Sequence, residues 1–390
     1  MYIEHNYGED PPASDVGTLE FPGLKLVGFF WVVGMTHVNT INFPCLEKAG
    51  TLNIGFLPLL RSINVPKLKD IGSLHLMTLP SLKTFSFSAG RQNMGGLEIY
   101  NTSLESIGGL TSRKTSILEI HQNKNLNTLS FPFMTVITLN NLGLAQIRMR
   151  NNSDNFFLDL PRLKGIQGRM TLSGLAAVNI PELTYIDKEL NIGAIDYPEF
   201  YLDHRCSNCF PTTLTNFTAP KLTRVSGSIN FDSSPALTNI SFPTLRSVGG
   251  ISMNNTAAVD FPNGISMPLL KQVCNVQIIG TTAPNCTSFD DLRDRGVAME
   301  SYFCGSNQAD PMPATSPSCA DLIKTWSEVL LVYCDGTLLA RCIYGYTLSK
   351  GSEIKIAFLI AAVALAFWYV WRRWYAAKAH AVANRDPISI

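Results

Sequence analysis

A short step, apolar–Pro–x–Leu, recurs between Phe21 and Leu270. It reads FPGL, FPCL and VPKL at Pro22, Pro44 and Pro66, three prolines spaced 22 residues apart. It recurs at Pro80, Pro161, Pro181, Pro220, Pro243 and Pro268. After most of these steps an Ile or Val stands three residues past the Leu, followed by Gly and an alternating apolar pair. Leu68, Ile71, Gly72, Leu74 and Leu76 show the pattern, and Leu222, Val225, Gly227, Ile229 and Phe231 repeat it. Alternation marks a short strand with one face inward. Proline donates no ladder hydrogen bond, so its recurrent place is a corner. A single coil cannot bury its own apolar face, whereas stacked coils share a continuous core. The expected architecture is mainly β, a right-handed parallel β-solenoid. A helical leucine-rich-repeat horseshoe fits less well, because no segment between strands carries a sustained 3.6-residue pattern.

Composition narrows the function. Of 390 residues, 46% are hydrophobic and 16% charged, with 31 basic against 30 acidic side chains. That balance offers no electrostatic footprint for nucleic acid, and the apolar content excludes disorder for most of the chain. The 28 Asn residues supply neutral polarity where charge is scarce.

Residues 356–371 (IAFLIAAVALAFWYVW) run for sixteen positions without charge, ending in a cluster of aromatic residues and Arg372-Arg373. At about 1.5 Å per residue a helix of this length nearly crosses a hydrocarbon core, and Ile354 extends it while Lys355 snorkels. A membrane span over 354–371 is expected, with the basic tail 372–390 in the cytoplasm and the large N-terminal part outside. The opening MYIEHNYGEDPPASD has no basic n-region, apolar h-region or cleavage site. The exported topology therefore expects a leader ahead of Met1; the alternative is a tail-anchored protein facing the cytosol.

Two breaks interrupt the period. Residues 193–218 form an insertion rich in cysteine and aromatics, and SFDDLRDRGVAMESYF lies between Cys286 and Cys304. The latter reads as a short capping helix with Ser288 as N-cap ahead of Asp290 and Asp291. The expected organisation is a disordered 1–17, a first solenoid lobe over 18–192, the insertion, and a second lobe with its Cys-bounded cap over 219–304. A linker (305–318), a Cys-containing juxtamembrane element (319–353), the span and the tail follow.

The coils followed by the Cys286/Cys304 pair resemble the fungal cell-wall organisation proteins of the receptor L-domain type, GPI-anchored surface proteins related to sporulation-specific wall proteins. The likeness covers residues 18–305. It implies a β-solenoid with receptor L-domain-like coils and a non-enzymatic surface role in wall assembly and integrity. The chain departs from that pattern where nineteen residues beginning Arg372-Arg373 follow the apolar run, since a GPI signal ends in its apolar tail. A direct transmembrane anchor is expected instead.

Eight of the nine cysteines (Cys206, Cys209, Cys274, Cys286, Cys304, Cys319, Cys334 and Cys342) cluster near the insertion, the cap and the juxtamembrane element. There disulfides help most. Cys286 is expected to pair with Cys304 or Cys274, and Cys334 with Cys319 or Cys342. Cys45 is left as a buried free thiol. Cys206-x-x-Cys209 with His204 gives only three metal ligands, so a disulfide is the simpler reading. Sequons stand at Asn101, Asn151, Asn216, Asn239, Asn254 and Asn285, and an exported chain would carry glycans at most of them. Asn101, Asn151 and Asn254 follow strand-like pairs, where turns would expose them.

Glycoside cleavage on a solenoid requires two carboxylates at equivalent positions of adjacent coils. Asp159, Asp187, Asp232 and Asp260 share no such position, and no catalytic or nucleotide-binding motif is present. No enzyme activity and no cofactor are expected. The one local recognition candidate is the insertion, where Tyr197, Phe200, Tyr201, His204 and Arg205 combine aromatic and polar groups suited to glycans or surface proteins. The expected function is cell-wall organisation at the plasma membrane and cell surface. The alternative is a receptor-like ectodomain for a soluble or glycan ligand.

Overall fold

The computed structural model describes residues 2–4, 17–87, 93–193, 213–260, 264–279, 286–297 and 301–305. The chain divides into two units, Met1–Leu322 and Ile323–Ile390, and every described residue lies in the first. That unit is a parallel β-solenoid of about 11 turns.

Most coils begin with the Pro step. The residue before the proline accepts a hydrogen bond from the N–H of the Leu two positions after it. This holds at Val65–Leu68 (3.2 Å), Ala219–Leu222 (3.2 Å) and Phe242–Leu245 (3.3 Å). Proline thus occupies the second position of a β-turn, where its fixed φ is an advantage and its missing N–H costs nothing. Both flanking apolar residues point inward: Val65, Leu68, Phe242 and Leu245 are at most 2% exposed.

From the turn the chain enters a long strand. Leu26–Val33, Lys48–Gly55, Asp70–Leu79 and Asn93–Thr102 stack in parallel, with Phe30↔Leu52, Leu52↔Leu74 and Leu74↔Leu97 in register. These long strands belong to one sheet of 17 strand segments. Alternate residues form inward columns, of which Val32, Ile54, Leu76 and Ile99 make one, each sealed from solvent. A short strand on another side of each coil completes the turn, as in Thr18–Glu20, Thr40–Asn42 and Ser62–Asn64.

The glycine after each Ile has a definite cause. A Cβ on Gly72 would stand 2.3 Å from the carbonyl oxygen of Gly50, and one on Gly50 would stand 2.1 Å from that of Gly28. The strand bends here, and successive backbones approach too closely for a side chain. At the other end of the strand lies a left-handed corner. Phe56, Thr78, Asn101, Gln122 and Asn151 have φ between 50° and 57°, each directly after residues that pair across the sheet (Gly55↔Met77, Met77↔Tyr100, Tyr100↔His121, His121↔Arg150). A non-glycine residue in this region costs about 1–2 kcal/mol, so the corner needs compensating bonds. Asn123, fully buried, provides them by bonding backbone groups of two coils.

The sheet runs past residues 194–212 without a break. Leu190–Gly193 pairs with Arg224–Ser234 in continuous register from Leu190↔Ile229 to Gly193↔Asp232. At the C-terminal end Thr287–Asp294 forms the one α-helix among the described residues, and Phe289 and Leu292 press into the core. Its N-cap is Cys286, not Ser288, and no side chain caps it. The Cys286–Cys304 disulfide already fixes the chain at that point and ties the helix to the final strand, Ser301–Gly305. Cys274 is also disulfide-bonded. Cys45 is a free thiol but only half-buried, with Lys67 Nζ 4.0 Å from its sulfur. It follows a corner proline, where the side chain points off the core.

Among the described residues no helix is long and apolar enough to cross a membrane. The run 354–371 lies outside them, as do the linker, the juxtamembrane element and the tail.

Candidate recognition face

The outward face of the long sheet carries a column of mainly polar side chains. Strand register places Trp31, Asn53, His75, Glu98 and Glu119 in one column, continued by Arg148, Thr171, Asn191 and Asn230. Successive rungs in such a column stand about 4.8 Å apart.

Polar side chains in this column pair with one another. His75 Nδ1 is 3.0 Å from Glu98 Oε2. Arg148 Nη1 is 3.6 Å from Glu119 Oε1, and Gln146 Nε2 donates to the same oxygen. His121 sits beside this group with Nε2 3.8 Å from Glu119 Oε2, too far for a hydrogen bond. Burial, with the neighbouring Arg150 and Arg148 cations, pushes the His121 pKa down to about 3, so the ring is neutral at physiological pH.

Farther along, Asn230 Nδ2 donates to Asn191 Oδ1 at 2.6 Å, and Asn191 Nδ2 donates to Thr171 Oγ1 at 3.4 Å. Arg148, Thr171 and Asn191 are 9%, 2% and 0% exposed. A part-exposed stretch of the column is therefore its first one, Trp31 to Glu119.

Glu98 and Glu119 are the acidic pair that sequence reading missed. They are register partners on adjacent coils, the arrangement sought and not found among Asp159, Asp187, Asp232 and Asp260. The period could have exposed them, because Ile99 and Ile120 follow them at the same coil position. Asp159 is held structurally, accepting from Ser130 (2.6 Å) and Asn179 (2.7 Å), and Asp187 pairs with Arg224 at 3.0 Å.

The sequons fall at distinct places. Asn101 and Asn254 are exposed at the corner end of long strands, while Asn151 is half-buried and its Oδ1 accepts from Lys124. Asn216 and Asn239, both exposed, are register partners in a short sheet. Asn285 lies outside the described residues. So do Tyr197, Phe200, Tyr201, His204, Arg205, Cys206 and Cys209 of the insertion, and Cys319, Cys334 and Cys342. Among the described residues no cluster of three His, Cys, Asp or Glu side chains could hold a metal ion.

The protein ecm33 of Aspergillus fumigatus is 28% identical over 257 residues, covering 60% of this chain and 57% of that protein. A cell surface GPI-anchored protein of Arthroderma benhamiae is 24% identical over 246 residues, 57% of each. This chain is similar to two fungal proteins, one of them named for the cell surface. It spans a little over half the length of each of these curated relatives. No family model and no solved structure matches it.

Proposed function

We propose that this protein is a non-enzymatic component of the fungal cell surface that contributes to cell-wall organisation and integrity. The reading is carried by similarity to the two fungal proteins, together with a solenoid whose sequons Asn101, Asn216, Asn239 and Asn254 stand on exposed positions. The Cys286–Cys304 disulfide suits an oxidising compartment. The finer kinship, with receptor L-domain and sporulation-specific wall proteins, rests on the coil pattern and the terminal cysteine pair.

The absence of catalysis is likewise a proposal, supported by the state of the Glu98–Glu119 pair. Glycoside hydrolysis needs one carboxyl kept protonated beside one ionised. Here each carboxylate is engaged by a basic side chain of its own, Glu98 by His75 at 3.0 Å and Glu119 by Arg148 at 3.6 Å, so neither stands free for a substrate. Proposed partners are wall glycans or other surface proteins. The proposed anchor is the 354–371 run as a single membrane span with a cytoplasmic tail, where the relative from Arthroderma benhamiae is named for a GPI anchor.

Epitope-tagged protein at native expression tests the reading. We expect labelling of intact cells by a membrane-impermeant reagent, a mass decrease on N-glycan removal, and retention in the membrane after phospholipase C treatment. A deletion strain should show increased sensitivity to wall-perturbing dyes, restored equally by wild type and by a Glu98→Gln/Glu119→Gln variant. Unglycosylated protein with free thiols in the cytosol would overturn the surface assignment. Loss of complementation by the double Gln variant would point to catalysis.

A further inference from the structure

Between Glu119 and Asn230 the outward column of the long sheet changes character. His75, Glu98 and Glu119 on one side of this stretch, and Asn230 and Ser252 on the other, are part-exposed. Arg148, Thr171 and Asn191 are 9%, 2% and 0% exposed, although they occupy the same outward position. The neighbours of Asn191 on the sheet do not account for this. Thr171 beside it is short, and Gly193, the next outward position along its strand, has no side chain. Asn and Arg are mostly exposed residues, and on the outer face of a single sheet they are hidden to this degree only under a cover.

Position, reach and charge together name the cover. Both ends of residues 194–212 are fixed on these coils. The chain leaves the sheet at Gly193, whose φ of 109° suits glycine alone. By the register Met149↔Leu172↔Ile192, Gly193 stands two rungs from Arg150. The chain re-enters at Thr213, whose hydroxyl donates to the carbonyls of Asp154 (3.0 Å) and Leu175 (3.3 Å), just past the strands of Arg148 and Thr171. Two rungs span about 10 Å, and three extended residues cover about the same, so Asp196 reaches Arg150. Residues 194–203 (AIDYPEFYLD) hold Asp196, Glu199 and Asp203 and no base. The face itself sets Arg148, Arg150 and Arg169 against Glu119 and Glu189, an excess of positive charge, with His121 beside them neutral. An acidic segment complements it.

We infer that residues 194–203 lie across this face, Asp196 meeting Arg150, so that the middle coils are occupied by the chain's own insertion. A partner approaching the outward face then meets bare sheet in the first lobe only as far as Glu119, and the insertion beyond it.

Arginine modification of the full chain by phenylglyoxal, mapped by mass spectrometry, tests it. Arg148 and Arg150 should react about tenfold more slowly than Arg61, which is exposed. Asp196→Asn should speed both about threefold, the worth of one ion pair. Replacing 195–211 by a Gly/Ser segment of equal length should bring both close to the Arg61 rate and raise the His121 pKa from about 3 toward 6.5, read by NMR. The exchange Asp196→Arg/Arg150→Asp should return Arg148 to slow modification, which Asp196→Arg alone should not. Where the replaced chain fails to melt cooperatively, Asp196→Asn and the charge exchange decide. Rates at Arg148 and Arg150 that ignore the changes in 194–212 would overturn the inference in favour of another part of the chain. Wild-type rates that rise on dilution would overturn it in favour of a second copy.

Discussion

Asn123 lies under Thr102 at the corner of adjacent coils, and its Oδ1 accepts both the Thr102 N–H (3.0 Å) and the Thr102 hydroxyl (2.7 Å). Its Nδ2 donates back to the carbonyls of Ile99 (3.1 Å) and His121 (2.8 Å). One fully buried amide thus serves the backbone of two coils, directly after two residues with left-handed φ. Asn123→Leu fills a similar volume but leaves these groups unmet. It should destabilise the fold by about 3 kcal/mol or more, read from denaturant unfolding. Asn152 continues the ladder by accepting from the Asn123 N–H at 3.2 Å. The double variant Asn123→Leu/Asn152→Leu should therefore cost less than the sum of its parts.

The glycine line gives a paired comparison. Gly72→Ala places a methyl 2.3 Å from a backbone oxygen that cannot move without shifting the coil below, and should cost about 2 kcal/mol. Gly28→Ala meets nothing within 4 Å and should change the melting temperature little. Equal effects would mean that strand propensity, and not the coil approach, dictates glycine here.

Thr78 is β-branched yet held at φ 51°. Glycine relieves that strain at the expense of unfolded-state entropy, so Thr78→Gly should stabilise the protein by up to about 1 kcal/mol. Differential scanning calorimetry reads the sign directly.

His121 makes stability depend on pH. Its folded pKa, about 3, lies below the ordinary value of 6.5, so between these limits the unfolded chain binds more protons. Its contribution is complete above pH 6.5 and is lost as pH falls toward 3, amounting to roughly 2 kcal/mol by pH 5. His121→Gln should flatten the unfolding free energy over this window relative to wild type.

The cap depends on a covalent tie. A Cys286→Ser/Cys304→Ser double variant frees a separation of 18 residues and should lose about 3 kcal/mol. Faster amide exchange should follow at Phe289, Leu292 and the paired strand Gln272–Ile279, while the first coils keep their protection.

The Pro22, Pro44, Pro66 spacing and the alternation after it specify a coil that must stack, because a repeat of this length cannot bury Leu74 and Leu76 by itself. They also mark the corners, since proline fixes the turn and donates nothing. Residue-to-residue pairing is another matter. Cys286 had two partners open to it on spacing, and three-dimensional placement chose Cys304. Glu98 and Glu119 become neighbours only when coils of unequal length are set in register, which is also why four scattered aspartates drew attention instead. Leu190 and Ile229, 39 positions apart, meet because Leu190–Gly193 pairs directly with Arg224–Ser234. Gly72 was visible as a recurring letter, but its reason, a carbonyl oxygen one coil away, exists only in the stack. Local pattern determined that this chain winds; the register between coils, set by packing of side chains far apart in sequence, decided which surface it presents.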